Sequence, residues 1–114
     1  MSAQVREIET IEQWQQTLEG SADRPVVVFK HSTTCPVSAN ALREFNEYLE
    51  ASPRQDADYV LVKVIESRPV SNQIAEDVAV KHESPQIILV EKNAKVWTAS
   101  HWAITNEHIK AVLD

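Results

Sequence analysis

The run Pro25-Val-Val-Val-Phe-Lys30 constrains this chain most, because three β-branched residues and a phenylalanine follow one another with no polar residue between them. Such a run favours extended backbone, and the lack of alternation requires cover on both faces. A strand covered on both faces needs a layer on each side, which points to an α/β architecture with a partly parallel central sheet. The 114 residues fit one such domain, residues 1–114. A chain of that size can bury roughly two-thirds of the surface its unfolded form exposes.

The remaining periodicities arrange themselves around that strand. Val5 to Ile8 reads as a short strand. Thr10-Ile-Glu-Gln13 has capping-box spacing, with Ile11, Trp14 and Leu18 on one helical stripe and Gly20 at its end. Val37, Ala41, Leu42, Phe45, Tyr48 and Leu49 predict an amphipathic helix from Pro36 to about Glu50. Ala57 to Glu66 reads as a second central strand, and Ser71 is positioned to cap a helix carrying Ile74, Ala75 and Val78. Ser84 to Val90 is a third strand; the polar turn Glu91–Lys95 and the segment Val96–Ser100 then predict an antiparallel hairpin. Thr105 caps a terminal helix through Leu113, with Ile109, Val112 and Leu113 inward. The order is β-α-β-α-β-α-β-β-α, a central mixed sheet flanked by helices. Helical connections favour parallel pairing with right-handed crossovers, closed by the hairpin. This order is similar to that of the thioredoxin fold.

Charge and composition remove several functions. Eleven Lys and Arg against 17 Asp and Glu give a net charge of −6, which repels phosphate backbones and anionic lipids, so neither nucleic acid nor membrane is expected as a partner. A single glycine, Gly20, leaves no Walker A loop, GxGxxG fingerprint or GxSxG elbow. No run approaches the ~18 to 20 apolar residues of a membrane helix, and the first residues lack a basic start followed by an apolar segment. One cysteine cannot build a disulfide framework. These features predict a cytoplasmic location.

That cysteine, Cys35, sits where the first central strand hands over to the long helix. Backbone N–H groups at a helix start lack carbonyl partners and carry partial positive charge, so a thiolate there is stabilised. Pro36 suits the first helical position, where its missing N–H has no consequence. Lys30 and His31, just upstream, are candidates for adding positive charge. A pKa lowered to about 6 would raise the ionised fraction roughly thirtyfold at pH 7, but would cut intrinsic nucleophilicity about ten- to twentyfold. The larger benefit comes when Cys35 is the leaving group of a mixed disulfide. Ser38 occupies the place of the second cysteine in C-x-x-C and cannot resolve a disulfide, so the cycle must be completed by an outside thiol. Ser38 can at most donate a hydrogen bond to the thiolate. Ser84-Pro85, opening the third strand, is a place where a cis peptide is tolerated. A cis bond there would aim backbone groups of Ser84 at an incoming thiol or substrate strand.

Phe29–Ser38 (FKHSTTCPVS), Val64–Gln86 (with KHESPQ) and Trp97–Trp102 (WTASHW) together resemble the monothiol bacilliredoxin family, thioredoxin-like proteins with a TCP-x-S active-site sequence. The resemblance spans nearly the whole chain. It implies a thioredoxin fold, removal of bacillithiol from mixed disulfides on proteins, and a cytoplasmic bacterial setting. It makes Cys35 the attacking thiol, Thr34, Pro36 and Ser38 the rest of the motif, Pro85 the cis-proline, and Ser84 a substrate-contacting neighbour. It implies bacillithiol as the thiol co-substrate, no tightly bound cofactor, and S-bacillithiolated proteins as partners. The residues themselves do not choose between bacillithiol and another small thiol.

Other readings of the same residues carry less. No paired ligand motif accompanies the four histidines and Cys35, so no metal site is expected. C-x-x-S spacing also occurs in monothiol glutaredoxins that share an iron–sulfur cluster between subunits, the main cofactor alternative. A binding module on the same fold with an inert Cys35 is the alternative outside enzymology. Trp97 and Trp102 read as hairpin and core packing. His82 and His101 are read either as approaching the active-site end or as surface or capping residues, and Asp77, His82 and Ser84 lack the strand-to-helix elbow of a triad.

Overall fold

The computed structural model describes residues 4–114. The elements are β1 (Val5–Glu7), α1 (Ile11–Gly20), β2 (Val26–His31), α2 (Pro36–Glu50), β3 (Asp58–Lys63), α3 (Arg68–Asp77), β4 (Gln86–Glu91), β5 (Ala94–Ser100), a 3₁₀ turn (His101–Ala103) and α4 (Asn106–Leu113), in the order the periodicities predict. The five strands form one sheet in the order β1-β3-β2-β4-β5, with the apolar run of β2 at its centre.

Period-two alternation along β2 sorts its side chains between two cores. Val27 and Phe29 face α2 and α4, packing with Phe45, Tyr48, Tyr59, Ile87, Leu89 and Ile109. Val26 and Val28 face α1 and α3, packing with Ile8, Trp14, Val60, Val62, Ile74 and Ile88. Phe29 and Phe45 stack with centroids 5.0 Å apart and planes 9° from parallel, seating α2 on the sheet.

Local signals account for most element ends. Thr10 and Gln13 form the reciprocal capping box of α1, and Thr105 caps α4 by accepting from His108 N. Ile11 is exposed, so the inward face of α1 is Trp14, Thr17 and Leu18. The hairpin turn is two residues, Lys92 and Asn93, at φ of 52° and 64°. This left-handed turn forms without glycine because Ser21 holds it, its carbonyl accepting from Lys92 N and its hydroxyl from Asn93 N. Ala94 and Lys95, expected in the turn, already pair in β5.

Three expectations change. α3 begins at Arg68 with Ser67 as N-cap, so Ser71 lies inside the helix. Pro69 sets this start, since its fixed φ and missing N–H suit a first turn. β1, β3 and β2 are parallel, but β4 runs antiparallel to β2 despite the intervening helix. A ten-residue α3 advances only about 15 Å, whereas the eight residues between it and β4 can span ~26 Å and return the chain to the end it left. Trp102 is 66% exposed, carried outward by the 3₁₀ turn that opens with the left-handed His101 (φ 56°).

Candidate active site

β2 ends at His31 and α2 begins at Pro36, leaving four residues to turn the chain. Cys35 closes this turn as the N-cap of α2, with extended backbone (φ −106°, ψ 122°) and Pro36 in the first helical turn. Its N–H donates to Ser32 O (3.3 Å) and its carbonyl accepts the first helical bond from Ala39 N (3.0 Å). The thiol is free and half-buried. A negative charge on its sulfur therefore stands at the positive end of a 15-residue helix.

Ser38, one turn into α2, is wholly buried and turned toward β2. Its Oγ accepts from Ser32 N (2.9 Å) and lies 2.7 Å from His31 Nδ1. The expected hydrogen bond to Cys35 is not among its contacts; the hydroxyl instead ties the cysteine turn to the strand before it. His31 faces α2, its ring tilted against Phe29 at 6.2 Å. Burial holds its imidazole below the usual histidine range, Glu66 opposing and Lys63 reinforcing that effect. Thr34 is exposed, its hydroxyl 3.5 Å from that of Ser32. Lys30, the next residue back, is on the opposite face. Its ammonium is buried under α3, away from α2, bonded to Ser71 O at 2.9 Å.

Three further segments gather at this end of the sheet. Val64 N donates to His31 O (2.9 Å) and Thr33 Oγ1 to Glu66 Oε2 (3.3 Å), bringing the turn after β3 beside the cysteine loop. The β2–β4 register pairs Lys30 with Gln86, which sets Pro85 at the level where β2 ends, and the Ser84-Pro85 peptide is cis as anticipated. His101 N donates to Pro85 O (3.0 Å), and Glu83 accepts from Ser100 Oγ (3.1 Å) with His101 Nδ1 at 3.7 Å, so the end of β5 is fastened to the same loop. Ile65 (46% exposed) and Trp102 leave apolar surface on the turns at this end. His82 and His101 lie on segments that reach this end, one of the two placements the sequence leaves open, and the pairing of β4 with β2 and β5 brings them here together with Trp102. Glu66 and Ser32 carried no sequence signal at all, since their roles are set by contacts between turns.

The cleft framed by Arg6, Arg24 and Arg54, about 350 Å³, lies at the opposite end, where β2 and β3 begin. Among the described residues no three His, Cys, Asp or Glu side chains gather to hold a metal ion, and no helix is long and apolar enough to cross a membrane.

Known structures share this architecture. A candidate oxidoreductase with a thioredoxin fold superposes with a TM-score of 0.83 and 34% identity over 96% of this chain and 94% of its own. Thioredoxin from Malassezia sympodialis matches with a TM-score of 0.77 and 18% identity over 99% and 91%, and thioredoxin NaTrxh from Nicotiana alata with 0.75 and 17% over 98% and 91%. The last two establish the thioredoxin fold. Residues 6–109 match the model of the monothiol bacilliredoxin BrxC family. With its lone thiol at the start of α2 and Ser38 where a second sulfur would stand, this chain belongs to the monothiol bacilliredoxin BrxC family of thioredoxin-fold proteins.

Proposed function

We propose that the protein is a monothiol thiol-disulfide oxidoreductase that removes bacillithiol from mixed disulfides on cytoplasmic proteins. One observation carries the reading: a half-buried free cysteine stands at the N-cap position of α2, while the residue one turn on is a buried serine already bonded to His31 and Ser32. Thiol redox chemistry follows from the family; the identity of the small thiol is the part proposed.

The cycle uses one sulfur. The Cys35 thiolate attacks the bacillithiol sulfur of the client adduct; a Cys35–bacillithiol disulfide forms, the client disulfide breaks, and the client thiolate leaves with the electron pair and takes a proton from water. Departure back from Cys35 is eased by the helix terminus, which stabilises the leaving sulfur. A second bacillithiol thiolate then attacks the adduct, releasing Cys35 as thiolate and forming the symmetrical bacillithiol disulfide. Ser84 and Pro85 supply backbone against which the incoming thiol lies. Thr34 and Pro36 hold the turn and the helix start.

A client protein carrying bacillithiol should lose its adduct when the wild-type protein and reduced bacillithiol are added, as followed by intact mass, and should keep it with Cys35→Ala. Wild type that leaves the client modified and acquires no adduct of its own from oxidised bacillithiol would overturn the reading.

A further inference from the structure

Lys30 stands on a strand face that is otherwise aliphatic, beside Val26 and Val28, and is wholly buried. Among the described residues its ammonium meets no carboxylate. Nζ donates to Ser71 O (2.9 Å) and lies 3.4 Å from His82 Nδ1, and Ser71 Oγ lies 3.3 Å from that same nitrogen. Gln86, opposite Lys30 across β2 and β4, donates to Lys81 O (3.0 Å), while its own Oε1 and the hydroxyl of Ser84 are buried without a protein partner. The segment Lys81–Ser84, which leads into Pro85, is thus held from inside by polar groups gathered around one buried amine.

This arrangement fixes a tautomer. An ammonium has protons to give and no lone pair, so its contact with His82 is favourable only when Nδ1 is the acceptor, which puts the ring proton on Nε2. A protonated ring would set donor against donor. The charged groups facing His82 are Lys30 from β2, Arg68 from α3 and Glu83 on its own segment. Burial first, then Lys30 and Arg68, hold the imidazole below the usual histidine range against the opposing Glu83. Glu83 is itself directed at Ser100 and His101. With Nδ1 on the buried side, the Nε2–H edge is the one left to the exposed side of the residue, two positions before Ser84.

We propose that Lys30 is a positioning residue that fixes His82 as an outward N–H donor beside the Ser84-Pro85 loop, and that this donor receives a carboxylate oxygen of the small thiol. A carboxylate is favoured over a neutral acceptor because the Lys30 ammonium, 3.4 Å from the ring, has no carboxylate partner among the described residues and leaves its charge beside the donor. Lys30 is sealed from solvent and acts through His82 alone. The proposal rests on the thiol-exchange reading above and adds what the site selects for.

Two measurements test it. Long-range ¹H–¹⁵N spectra of the intact protein should show His82 as the Nε2–H tautomer, titrating below the ordinary histidine range, with Lys30→Met moving that titration upward. An Nδ1–H tautomer in the wild type, or an unchanged titration in Lys30→Met, overturns the positioning role. Exchange kinetics on a client peptide carrying bacillithiol, compared with the same adduct methyl-esterified at its carboxylates, should show KM about tenfold higher for the ester with kcat held. His82→Phe should raise KM for the free acid and erase the difference between the adducts, and His82→Gln, which keeps an N–H donor, should restore part of it. Equal KM for both adducts in the wild type overturns the carboxylate assignment. If the wild type exchanges neither adduct, the thiol-exchange reading fails and the carboxylate assignment with it, while the spectra still decide the Lys30–His82 arrangement.

Discussion

Ser38 joins three parts of the site through one oxygen: the strand end at His31, the turn at Ser32 and the first turn of α2. A serine hydroxyl has one proton and two lone pairs, and the Ser32 N–H already occupies one of them. Replacing it by alanine leaves a buried N–H and the His31 ring nitrogen without this partner. Ser38→Ala should therefore cost about 1–3 kcal/mol of stability in urea unfolding, even though it removes only a hydroxyl. A loss below ~0.5 kcal/mol would mean that water replaces the hydroxyl and that the turn is not held by it.

At the scale of elements, the site depends on how α2 is seated. Phe45 is wholly buried and stacked on Phe29, two residues before His31. Phe45→Ala should destabilise the protein by about 3–5 kcal/mol, read as a lower urea midpoint with an unchanged slope. Much of this level was legible in the sequence, because the information is local. The span of α2 follows from apolar spacing and Pro36, and the caps of α1 and α4 from Thr10 and Thr105. The start of α3 departs from the Ser71 expectation because Pro69 is the stronger local signal for a first helical turn. Other features were not local. The direction of β4 depends on the path of the eight residues after α3, and the partners of Ser38, Lys30 and His82 are set by register and by packing between distant segments. A lysine inside an aliphatic strand was the one visible sign of the interior cluster, and period two shows that it cannot share a face with His31.

For the whole molecule, that lysine sets a pH dependence of stability. Burial lowers Lys30 from its ordinary 10.5 to about 8, so between those values the unfolded chain binds more protons than the folded one. Stability from this group must then rise with pH across pH 8 to 10.5 and be lowest below that window, where a charged amine is buried. Tyr59 acts in the opposite sense at higher pH. Burial and its hydrogen bond to Tyr48 raise its phenol above the ordinary 10.0, so the stability it contributes is lost once unfolded tyrosine ionises. Urea unfolding from pH 7 to 9.5 should show wild type gaining about 2 kcal/mol relative to Lys30→Met. A constant difference would mean the amine is already neutral or solvated at pH 7.

The lone sulfur has a further consequence in mass action. A pair of sulfurs closing on each other releases two small thiols for each small disulfide consumed, so its oxidised fraction depends on the square of one concentration over the first power of the other, and shifts whenever the pool is diluted. In the proposed cycle Cys35 exchanges one for one, and its occupancy follows the plain ratio of disulfide to thiol. Diluting the pool tenfold at constant ratio leaves this molecule's state where it was.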